Sequence, residues 1–93
     1  MAKAKIKSGY NFDRGEHTTV TASDTVQTGL TDVLFAFATL ESDPIAAADQ
    51  VTVVPAASGQ ITIKTWKPTA TADTAPVAAT TFSRVVNWFA IGR

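Results

Sequence analysis

Few side chains in this sequence are equipped to do chemistry. There is one histidine, His17, and no cysteine. Nucleophilic catalysis needs a base beside a Ser, Thr or Cys. His17 stands among threonines with strand-like alternation, and no G-x-S-x-G elbow accompanies it, so it reads as a surface strand residue. Asp43 and Asp49 could form a carboxylate pair for acid–base work. Both fall in loop sequence, where carboxylates solvate or cap. The five glycines are scattered singly, so no phosphate-cradling loop is formed. Neither EF-hand spacing nor a His/Asp/Glu cluster at metal-ligand spacing is present. The expectation is a protein that is not an enzyme and that uses no metal or cofactor.

The remaining candidates are residues that make contacts. Lys3, Lys5 and Lys7 alternate with Ala4 and Ile6, which places three cations along one side of an extended N-terminal arm, residues 1–15. Tyr10 and Phe12 follow in a segment read as a loop, residues 9–15, and need cover from this domain or from a partner. Trp88 lies inside the most apolar segment and reads as core. Trp66 shares a strand face with Thr62 and Lys64, a more exposed setting. It is either a contact for a ligand or partner or is covered by the 68–79 loop. Lys3, Lys5, Lys7, Tyr10, Phe12 and Trp66 are therefore the expected partner-binding residues.

These residues must be held by strands. Residues 80–92 form the longest apolar run of β-type residues. Val85, Asn87, Phe89 and Ile91 share one face, and Arg84, Val86, Trp88 and Ala90 the other. Both faces are mostly apolar, which predicts a central strand or one covered by a second subunit. Residues 32–41 repeat this character, with Val33, Phe35 and Phe37 on one side and Leu34, Ala36, Ala38 and Leu40 on the other. The two segments are natural neighbours. Residues 16–22 read as a strand, Ser23–Asp24 as a turn, and 45–49 as one helical turn. Residues 50–54 and 60–67 form a hairpin around the Pro55–Gly59 loop, and 68–79 is a long loop of small residues. Seven to eight short strands in 93 residues predict an all-β fold, an antiparallel, jelly-roll-like β-sandwich filling residues 1–93 as one domain.

Net charge is zero, which argues against broad capture of nucleic acid. No segment is long and apolar enough to span a membrane. The N-terminal lysines are not followed by a signal-peptide core, so synthesis and assembly in a cytoplasm are expected. A chain this small, with no disulfide, gains stability by burying more surface against copies of itself. A homo-oligomer is therefore expected, with a trimer favoured.

Two segments carry a resemblance. V-Q-T-G-L-T-D-V at 26–33 resembles the T-G-L-x-x-V start of small β-domains in bacteriophage virion proteins. V-V-N-W-F-A-I-G at 85–92 resembles the V-x-W-x-A-I-G ending of the same domains. By pattern the likeness covers about residues 18–92, with these two motifs as its specific parts. It implies a capsid decoration (cement) protein, or a head or tail fibre module. The ending is also similar to H-type lectin domains, six-stranded sandwiches that form trimers and bind sugar. No polar constellation here matches a lectin sugar site. A decoration protein is the reading that fits best. Its partner would be the major capsid protein and its location the outer surface of the virion. The alternative is a carbohydrate-binding fibre or adhesin module using Trp66 and the 68–79 loop.

Overall fold

The computed structural model describes the backbone of residues 3–7 and all of residues 10–68 and 76–93. Among the described residues, eight strands are divided between two antiparallel sheets. Sheet A has the order β1 (Lys3–Lys7), β2 (Tyr10–Thr18), β8 (Val85–Gly92), β4 (Val33–Leu40). Sheet B has the order β3 (Ser23–Gln27), β6 (Gln60–Lys67), β5 (Gln50–Ala56), and the short β7 (Val77–Ala78) pairs with β6. The chain passes between sheets from β2 to β3, β3 to β4, β4 to β5 and β7 to β8. This is the winding of a sandwich, as expected. Among the described residues there is no α-helix, only one 3-10 turn at Ala57–Gly59.

The C-terminal strand is central, with β2 on one side and β4 on the other. Its inner face, Val86, Trp88 and Ala90, packs on Ile61 and Ile63 of sheet B, with Leu30 and Val33 closing the core. The faces of β4 differ from simple alternation. Its register with β8 shifts between Val33 and Phe35. A bulge of this kind puts an extra residue on one strand and turns the side chains before it to the other face. Val33 is therefore buried, whereas Phe35 and Phe37 face outward at 47% and 54% exposure.

Several boundaries also depart from expectation. The 9–15 segment is strand from Tyr10 onward, so residues 10–15 belong to the sheet and not to an arm or loop. This strand was hidden because its polarity is inverted. Asp13, Gly15 and His17 stand opposite the inward Ala90, Trp88 and Val86, while Phe12 stands opposite Ile91. The turn falls at residues 19–22, and Asp24 is already in β3, where its carboxylate accepts the Val20 and Thr21 N–H groups. Residues 45–49 make a tight turn closed by a bridge between Ile45 and Ala48 rather than a helical turn. Pro55 lies within β5, an outer strand of sheet B, where its missing N–H is tolerated.

Three inward groups of β2 make specific contacts, the last of which ties the two sheets together. Asp13 is fully buried, accepting the Gly29 N–H at 2.6 Å and the Arg14 N–H at 2.9 Å. Gly15 leaves room for Trp88, since a Cβ there would come within 2.7 Å of the indole ring. His17 meets Asp24 of sheet B at 2.8 Å.

Candidate functional site

The outer face of sheet A carries the candidate site. Pairing aligns its outward residues in cross-strand rows. One row is Phe12, Ile91 and Phe35, and the next is Arg14, Phe89 and Phe37. A third is Glu16, Asn87 and Thr39. The face is thus apolar in its first row, apolar but for Arg14 in its second, and polar beyond.

The aromatic rings form a ladder across the strands. Phe12 stacks on Phe89 with centroids 5.2 Å apart, and Phe37 stacks on the other side of Phe89 at 5.4 Å, nearly parallel. Phe35 adjoins Phe37 at 6.0 Å with a tilt of 47°. Both faces of the Phe89 ring are therefore covered by neighbours. Aromatic rings present an electropositive edge and an electronegative face, and in this ladder the faces of the middle rung are spent internally.

The polar half holds an open depression of about 500 Å³, lined in part by Arg14, Glu16, Thr39, Asn87, Phe37 and Phe89. Glu41 joins Glu16 at its margin, and the Asn87 amide donates to Glu41 at 3.2 Å. The Glu41 carboxylate raises the pKa of Glu16 above its ordinary value, first by charge repulsion, then through a shared hydrogen bond, with burial adding to both. One face therefore bears a cation, Arg14, and a carboxylate pair under mutual repulsion.

The expected contact residues do not form one cluster. Phe12 belongs to the aromatic ladder. Tyr10 is half-buried and is covered by the Arg93 guanidinium at 5.3 Å from its ring centroid. Lys3, Lys5 and Lys7 lie in β1, whose backbone pairs with β2 of the same chain, opposite Asp13, Asn11 and Tyr10. The proximal part of the arm thus extends the subunit's own sheet. Trp66 is on sheet B, half-buried, with its indole N–H donated to the Thr52 hydroxyl at 2.8 Å. Residues 69–75 of the 68–79 loop, and residues 1, 2, 8 and 9, lie outside the described residues. Trp88 is core, at 4% exposure.

Phe35, Phe37 and Phe89, with Arg14, Glu16, Glu41 and Asn87, were not singled out by sequence reasoning. The signal available was that segments 32–41 and 80–92 are apolar on both faces, which requires cover on the side away from the core.

His17 does not assemble a nucleophilic site with its neighbours. Its Nε2 meets Asp24 Oδ2, and the Thr21 hydroxyl donates to Asp24 Oδ1 at 2.6 Å. The hydroxyl is thus held by the carboxylate and not by the imidazole, the reverse of what activation of a nucleophile needs. Burial alone would raise the Asp24 pKa. The Thr21 hydroxyl, the Val20 N–H, His17 and the Thr21 N–H outweigh it and lower that pKa to about 2. The constellation closes the turn between the sheets.

No family model matches this chain, and no curated protein or solved structure matches it.

Proposed function

We propose that this is a non-enzymatic structural virion protein that attaches to the outer surface of a bacteriophage capsid and reinforces it. The observation that carries the reading is the outer face of sheet A, an exposed apolar ladder with a polar margin. Contiguous exposed apolar surface of this kind suits contact with protein, and stacked rings offer it at low entropic cost. That face serves the clustering of subunits, and the resemblance at 26–33 and 85–92 supplies the class of partner on which they cluster, the major capsid protein. The mechanism is avidity: each subunit adds a modest contact, and symmetric clusters, a trimer in the favoured arrangement, multiply it across neighbouring capsomers. β1 is an edge strand and the Tyr10 end of β2 lies beside it. These elements are assigned to the capsid, through backbone pairing along the free edge of β1.

A carbohydrate-binding role has less support. Sugar stacking needs free ring faces, and those of Phe89 are covered. Trp66 has spent its indole N–H on Thr52.

The test is a thermal melt of capsids built from the major capsid protein of the same genome, with and without this protein. A capsid transition shifted upward in its presence is expected. An unchanged transition at saturating protein would refute reinforcement.

A further inference from the structure

We propose that the outer face of sheet A is where copies of this chain meet, the patch around Phe35 and Phe37 being covered by the same face of a second copy. The inference deepens the self-association in the proposed function and does not depend on the capsid. A protein that self-associates through this face and ignores capsids would leave it standing.

The area is of the right size. Phe35 is 47% and Phe37 54% exposed, so together they leave about one whole phenylalanine, ~200 Å², in water. Leu34 beside them is 45% exposed, and the partly exposed Phe12, Phe89 and Ile91 bring the apolar total to about 400 Å² on the same scale. A standard interface takes about 800 Å² from each partner, a little over half of it apolar. One copy of this patch therefore supplies most of the apolar share of half an interface, with the polar rows beyond it as rim.

The charges are complementary to themselves. Arg14 lies in the row beside Glu16, and Glu16 and Glu41 repel each other. A cation placed against that carboxylate pair relieves the repulsion, and Arg14 of a neighbouring copy is such a cation. Both members of the pairing lie on one face of a chain whose net charge is zero, so a second copy needs no other source of charge. Opposite potentials across an interface fix its register and exclude wrong partners.

The pattern of exposure points the same way. Val54 on sheet B is also half-exposed, at 51%, but no aromatic ladder surrounds it. The phenylalanines of sheet A are already locked against each other, and a rigid apolar surface loses little freedom on docking.

The test is mass by light scattering across about 1–100 µM, the range in which a contact of this size would form. Wild-type protein is expected as a discrete dimer or trimer that dissociates on dilution. Phe37→Glu should weaken association about 30-fold or more, the loss expected of a central interface residue, while Val54→Glu leaves it unchanged. Dichroism and a melt establish that each variant is folded. Thr39→Glu, an exposed position away from the core, serves if Phe37→Glu does not fold and should also weaken association. Arg14→Glu should weaken it, and adding Glu16→Arg and Glu41→Arg should restore it. A monomer throughout the range would overturn the proposal. So would an oligomer indifferent to Phe37 and Thr39, or one broken equally by Val54→Glu. A monomer whose capsid binding is lost on Phe37→Glu would assign this face to the capsid instead, and that too overturns it.

Discussion

Replacing Asp13 by Asn is expected to destabilise the fold far more than its isosteric character implies. The carboxylate is fully buried and accepts at both oxygens, from Gly29 in the β3–β4 connection and from Arg14 on its own strand. An amide offers one oxygen, so its NH₂ group must face one of the two N–H donors. A hydrogen bond to a charged group contributes about 1.5–3 kcal/mol, and leaving a buried donor unsatisfied costs about 1–3 kcal/mol more. Removing a buried charge returns part of its desolvation cost, so the net loss is about 2–4 kcal/mol after that offset. For a domain of this size each kcal/mol moves the melting midpoint by about 4–8 °C, which predicts a fall of roughly 8–32 °C. Urea titration followed by tryptophan fluorescence measures the free energy directly, because Trp88 reports core packing. A variant within about 0.5 kcal/mol of wild type, the range of an ordinary surface change, would refute the claim that Asp13 anchors the β3–β4 connection to β2.

Asp24 predicts acid sensitivity. Its pKa is lowered in the folded state from 3.8 to about 2, so its contribution is present above pH 3.8 and lost as pH falls toward 2. The whole shift corresponds to about 2.4 kcal/mol at 1.36 kcal/mol per unit. Solvent screening near the surface reduces this to roughly 1 kcal/mol, and Asp24→Asn should flatten this limb of a stability–pH curve. Gly15→Ala places a Cβ against the Trp88 ring and should cost about 1–3 kcal/mol as an overpacked core does, with a shifted tryptophan emission as its signature; unchanged emission and stability would contradict the packing described. Changing Lys3, Lys5 and Lys7 to Ala should weaken capsid attachment less than deleting residues 1–9, since exposed ion pairs contribute only about 0–1 kcal/mol each. A capsid affinity that survives the deletion intact would show that the β1 edge is not the tether.

The sandwich was legible because its two strongest strands advertise themselves. Segments 32–41 and 85–92 are rich in Val, Phe and Ile, and they pair as neighbours with the last strand central. Trp88 was read as core for the same reason. The bulge between Val33 and Phe35 was not legible, because it arises from pairing with β8 and not from any residue within β4. Without it, Val33 and the two phenylalanines share a face, and the outward ladder cannot be drawn. Strand β2 escaped for a related reason. Sequence patterning expects apolar residues inward, but Asp13, Gly15 and His17 turn inward because each meets a specific partner, the Gly29 N–H, the Trp88 ring and Asp24. Such partners lie 16, 73 and 7 residues away, beyond what local periodicity can specify. The site followed the same logic. Phe12 was singled out as an aromatic needing cover, but its partner Phe89 became visible only when β2 was placed beside β8.

Co-sedimentation of the purified protein with intact capsids of the major capsid protein from the same genome tests the central claim most directly. Saturable binding is expected, with a stoichiometry fixed by the capsid lattice, and release when residues 1–9 are deleted. Protein that stays in the supernatant at tens of micromolar, where a contact of standard size would be occupied, would contradict it.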